Sequence, residues 1–77
     1  MTEQEICKQV IEEVIRAERK HPNWPGDIIH ASAIVNEESG ELIRASLQYV
    51  YEDGSKEDLR KEAIQTAATC IRLLKNL

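Results

Sequence analysis

Three carboxylates crowd into five residues, Glu37-Glu38-Ser39-Gly40-Glu41. On a helix they fall within roughly 100° of surface, because Glu37 and Glu41 are four residues apart and Glu38 and Glu41 three. Like charges at this spacing repel by about 0.2–0.5 kcal/mol per exposed pair. Gly40, inside the cluster, costs about another 1 kcal/mol relative to Ala. Its lack of a side chain lets a neighbouring helix or a ligand come close. Glu38 carries a further cost, since it occupies one place in the seam Ala31, Val35, Glu38, Leu42, Ala45 and Tyr49. Those gaps of four and three belong to a helix face that meets another helix. A charge buried there without a partner costs several kcal/mol. A divalent cation is the simplest neutraliser; the structural alternative is an ion pair with Arg44, Lys61 or a partner chain.

A second polar stripe lies further on: Glu62, Gln65, Thr66 and Thr69, with Arg72 at its edge. If its helix runs antiparallel to the first acidic one across Asp53-Gly54, Glu41 and Glu62 differ in height by roughly 6 Å. Long side chains span that offset. Acids from two helices and one amide would form an all-oxygen site, the kind Mg²⁺ prefers, with Mn²⁺ as a possible substitute. Periodicity alone assigns the Gln65–Thr69 stripe to the solvated face, because an apolar arc lies opposite. His30 shares the helical projection of Glu37 and Glu41 and could touch a phosphate or order a water; a surface histidine is the plainer assignment. Trp24 reads as a packing anchor before a stacking platform. Arg72 and Lys75 suit a helix C-terminus with no ligand at all.

Three helices must position these groups. The first runs from about Glu3 to Arg19. Thr2 and Glu5 form a capping-box pattern at its start. Ile6, Cys7, Val10, Ile11, Val14, Ile15 and Ala17 make one broad apolar stripe. His21-Pro22-Asn23-Trp24-Pro25-Gly26 interrupts the helix with two prolines and a glycine. Asp27 then caps a long helix from about Ile28 to Glu52. Opposite the Glu38 seam this helix carries a second apolar set: Ile29, Ala33, Ile43, Leu47 and Val50. A helix apolar on two sides needs neighbours on two sides, so a homo-oligomer is expected. Asp53-Gly54 reads as a glycine stop. Ser55 caps a third helix over about Lys56 to Asn76, with Ala63, Ile64, Ala67, Cys70, Ile71 and Leu74 as its buried arc. No strand pattern appears.

The chain therefore reads as a single all-α domain, 1–77, completing its bundle by homo-oligomerisation. Seventy-seven residues without a Phe support only a modest core. The net charge of −4 argues against a nucleic-acid polymer as partner. Cys7 and Cys70 both fall on apolar faces and are expected as buried, reduced thiols. The polar, acidic start is unlike a signal peptide, and no apolar run is long enough for a membrane span. A cytoplasmic location is the expectation.

Glu37-Glu38-Ser39-Gly40-Glu41-Leu42 resembles the EExxE motif of the MazG-like all-α nucleoside triphosphate pyrophosphatases. In that family an ExxD motif follows on the next helix, where this chain has Glu62-Ala63-Ile64-Gln65. Flanking segments, Trp24-Pro25 through Ala31 and Thr66 through Leu74, are similar to a small single-domain branch, so the resemblance covers about residues 22–74. It implies Mg²⁺-dependent cleavage of an NTP or dNTP to the monophosphate and pyrophosphate. It also implies Glu38, Glu41, Glu62 and Gln65 as metal ligands and Glu37 as the acid that orients or deprotonates water. Lys61 or Arg72 would meet phosphate, and Trp24 and His30 would border the substrate. A homodimer or homotetramer is implied as well. Gln65 departs from the family Asp and takes one negative charge from the site. An alternative is a non-catalytic helical oligomer that binds a nucleotide or a protein partner.

Overall fold

A computed structural model describes all residues from Met1 to Leu77. Three helices account for the chain: α1 (Glu3–Lys20), α2 (Ile28–Tyr51) and α3 (Lys56–Lys75). Each begins where a side-chain oxygen satisfies an orphan backbone N–H. Thr2 accepts from the Glu5 N–H at 3.1 Å, Asp27 from Ile29 at 2.9 Å and Ser55 from Asp58 at 3.0 Å. No helix is long and apolar enough to cross a membrane.

The third helix is the middle layer. It packs against α1 on one side and α2 on the other, while α1 and α2 do not pack on each other. The α1–α3 contact is aliphatic: Val10, Val14 and Ala68 are buried, and Ile64 and Ile71 pack against them. The α2–α3 contact is built from small residues, with Ala31 and Ala45 the buried members of α2. Around them the Glu38 seam is half-buried at Val35, Glu38 and Leu42, as expected, and only Tyr49 at its end is exposed.

Four expectations are corrected. On α3 the polar stripe faces inward: Glu62, Gln65, Thr66 and Thr69 are half-buried and Arg72 is buried. Ala63, Ala67 and Leu74, assigned to the buried arc, are exposed. The reason is topological, since a helix flanked on two sides cannot give only its apolar arc to its neighbours. Cys7 is exposed and Cys70 half-buried, both as free thiols. The turn also differs from a glycine stop. Asp53, not Gly54, takes the left-handed conformation, with φ 56°. Gly54 is required for closeness: a Cβ there would lie 2.8–3.0 Å from Gln48 backbone and side-chain atoms. Its N–H donates to the Gln48 carbonyl at 2.8 Å.

Burial is sparse. Six residues are buried, and no side chain is less than 2% exposed. The apolar surface left open includes Ile6, Ile11 and Ile15 on α1 and Ile29, Ile43, Leu47 and Val50 on α2.

Candidate metal centre

Glu38 and Glu41 descend from α2 and Glu62 rises from α3, so three carboxylates meet across the hairpin. One oxygen from each lies within 4.8 Å of the others. The offset counted along the chain is closed by side-chain length. Thr66 fastens the two helices at this level: its hydroxyl lies 2.7 Å from the Glu62 carbonyl and 3.2 Å from the Glu38 carbonyl and can donate to either.

The cluster has no ion-pair partner, and the nearby charge of Lys61 opposes only part of the upward shift at Glu62. Glu38 Oε2 and Glu62 Oε2 are buried with no hydrogen-bond partner. Burial first, then the charges of Glu41, Glu62, Glu13 and Glu37, push the Glu38 carboxyl above its ordinary value. Burial also leads for Glu62, followed by the charge of Glu41 and a hydrogen bond with it. No arginine or lysine forms an ion pair with any of the three acids. Orphaned buried carboxylate oxygens converging on one point fit a hard divalent cation, which accepts oxygen ligands and offsets their mutual repulsion.

The other expected site residues are distributed around this point. Gln65 lines the same cleft as Glu38, and its backbone carbonyl accepts from the Thr69 hydroxyl at 2.7 Å. That cleft, about 390 Å³, opens between α1, the Trp24 loop and the α2–α3 pair. Trp24 forms one wall, with the Arg72 guanidinium 4.9 Å from its ring centroid. Arg72 also donates to the His21 carbonyl at 2.7 Å, so it holds the loop in place, and its Nε is buried without a partner. Lys61 is exposed and lines a separate cleft beside Glu41, Arg44, Asp58 and Glu62. Glu37 is exposed and lies outside the three-carboxylate group. His30 is exposed in the first turn of α2 and lines none of the clefts.

The first helix contributes residues that the sequence reading passed over. Glu13, Arg16 and Lys20 line the Trp24 cleft. With Gln9 they repeat at gaps of four, three and four, a polar seam beside the Val10–Val14 stripe. The same spacing rule that singled out Glu38 would have found them. Glu13 receives two hydrogen bonds from Arg16, one of them at 2.8 Å from Nε, and these hold its carboxyl below the ordinary value.

No protein-family model, curated protein or solved structure matches this chain.

Proposed function

We propose that this protein is a Mg²⁺-dependent nucleoside triphosphate pyrophosphohydrolase, working as a cytoplasmic homo-oligomer, either dimer or tetramer. The observation that carries the reading is the meeting of Glu38, Glu41 and Glu62 with two buried oxygens lacking partners. The MazG-like resemblance of the two acidic motifs supports the reaction class.

In this reading Glu38, Glu41 and Glu62 hold the ion, and the Gln65 amide oxygen is an uncharged fourth donor. Bound Mg²⁺ supplies polarisation of phosphoryl oxygens and neutralises charge developing on them. The chain's own residues do the rest. Lys20 and Arg72 line the adjoining cleft and give it cationic groups for an anionic substrate, while Arg16 is already paired with Glu13. Trp24 offers that cleft an apolar wall large enough for a base. Glu37, exposed and adjacent to Glu38 in the chain, would orient or deprotonate the attacking water as the bond between the α and β phosphates is hydrolysed. The cluster's repulsion in the ion-free chain is the driving force for taking up the metal.

The test is a panel of NTPs and dNTPs assayed for pyrophosphate with Mg²⁺ or Mn²⁺. Release is expected for at least one nucleotide and is lost in Glu38→Gln and Glu41→Gln. Full activity in either variant overturns the site. A second reading, a non-catalytic oligomer that binds a nucleotide or a protein partner, is favoured by the outward position of Glu37 and the neutral Gln65. It predicts that nucleotide raises the melting temperature without turnover.

A further inference from the structure

The outer face of α2 carries a second seam that its own chain leaves uncovered. Ile29, Ala33, Asn36, Gly40, Ile43, Leu47 and Val50 follow gaps of four, three, four, three, four and three, and every one is exposed. This seam lies about 150° around the helix from the Glu38 seam. Gly40 sits at its middle, and a Cβ there would find nothing within 4 Å. The absent side chain thus serves no contact inside the chain.

We infer that this seam docks against the same seam of a second copy, antiparallel, with a twofold axis passing at Gly40. Three observations select that partner. The first is area. The chain exposes 5763 Å², against about 4,800 Å² for a folded monomer of 8.8 kDa. The excess of about 1,000 Å², shared between the α2 seam and the open Ile6, Ile11 and Ile15 of α1, is enough for the roughly 800 Å² each partner buries in a standard interface. The radius of gyration, 13.2 Å, likewise exceeds the roughly 11.5 Å of a compact chain this long.

The second is self-complementarity. The midpoint of α2 falls beside Gly40, so an antiparallel copy brings Gly40 against Gly40. Ala33 then meets the partner's Leu47, Asn36 the partner's Ile43, and Ile29 the partner's Val50. Ala33 against Leu47 sets a small residue against a large one on both sides of the axis, as interdigitating helices require.

The third is charge. Glu37 and Arg44 lie on the same flank of the seam, and neither forms an ion pair within the chain. The twofold preserves the flank and reverses the height, so Glu37 of one copy faces Arg44 of the other, twice. Arg44 also lines a cleft with Glu41 and Glu62. The interface therefore reaches the edge of the acidic cluster and ties Glu37 to the second copy. This deepens the oligomeric reading above, and it holds whether or not the protein turns over a nucleotide.

The experiment is a measurement of mass in solution across protein concentration, with variants of the seam. The wild-type protein is expected to be a dimer or a multiple of one. Glu37→Arg and Arg44→Glu each place like charges opposite one another and raise the dimer dissociation constant by about tenfold. The double variant restores it. Gly40→Cys, with Cys7 and Cys70 replaced by Ala, is expected to form a disulfide between the two copies of residue 40. A monomer at every concentration, or a charge swap that fails to restore association, overturns the proposal. So does a residue-40 thiol that stays reduced under oxidation. Activity is not read in any arm, so loss of the hydrolase reading leaves this test intact.

Discussion

The two faces of α3 are opposites. Toward α1 it presents Ile64, Ala68 and Ile71 to Val10 and Val14, an aliphatic contact bordered by the Lys75–Glu18 ion pair at 2.8 Å. Toward α2 it presents Glu62 and Thr66 to a seam containing Glu38. The first contact gains free energy from burial. The second spends part of that gain holding like charges close together where two of the three are half-buried. The difference teaches a division of labour: one face of α3 gains stability from aliphatic burial, and the other gathers the acids.

The largest break in this comparison comes from the acidic side. Glu38→Gln or Glu41→Gln should cut pyrophosphate release by roughly a hundredfold or more while leaving the far-ultraviolet circular dichroism unchanged. Next comes the aliphatic side. Val14→Ala should lower stability by roughly 2 kcal/mol in denaturant titration, because Val14 is only 4% exposed. On the proposed metal site, Mg²⁺ should raise the melting temperature, and Val14→Ala should leave that rise intact. A smaller and opposite effect is expected of Glu38→Leu, which should raise the metal-free melting temperature by relieving the uncompensated charge. The same change should erase the response to Mg²⁺. A fall in its metal-free melting temperature would show that Glu38 is already satisfied without an ion.

The smallest effect is on pH. The Glu38 and Glu62 carboxyls lie above their ordinary value of 4.5, so the native state binds protons that the unfolded chain releases. Their contribution is complete below that ordinary value and is lost as pH rises through the raised values. Glu13, held low first by its hydrogen bonds to Arg16, acts in the other sense: its contribution is present above the ordinary value and lost as pH falls. Metal-free protein should therefore lose stability from about pH 4.5 upward in a way that saturating Mg²⁺ cancels. In Glu38→Gln that loss should shrink, while the acid-side loss from Glu13 persists.

How far the sequence foretold this arrangement depended on which helix was read. The three helices and their caps follow from Thr2, Asp27 and Ser55 and from apolar periodicity, and all stand within about a turn of where they were expected. Glu38 was legible because it breaks a regular seam, and Glu62 because the short turn fixes relative heights. On α3 the same method misassigned the faces. Periodicity takes the apolar arc as inward, whereas α3 lies between two helices and turns Gln65, Thr69 and Arg72 toward them. Arg72 offered no local signal, since its partners are the His21 carbonyl and the Trp24 ring, about fifty residues away in the chain. Cys7 looked internal only because nothing in one chain says which part of an apolar stripe goes uncovered.

The contact between Gly54 and Gln48 has a consequence for how this fold can vary. Together with the left-handed Asp53 it makes the α2–α3 turn a gauge block of fixed length. One residue added there would slide Glu62 by about 1.5 Å and swing it about 100° around α3, away from Glu38 and Glu41. Insertions should be tolerated in the Trp24 loop far better than in this turn, and relatives that keep the three acids should also keep the spacing between them.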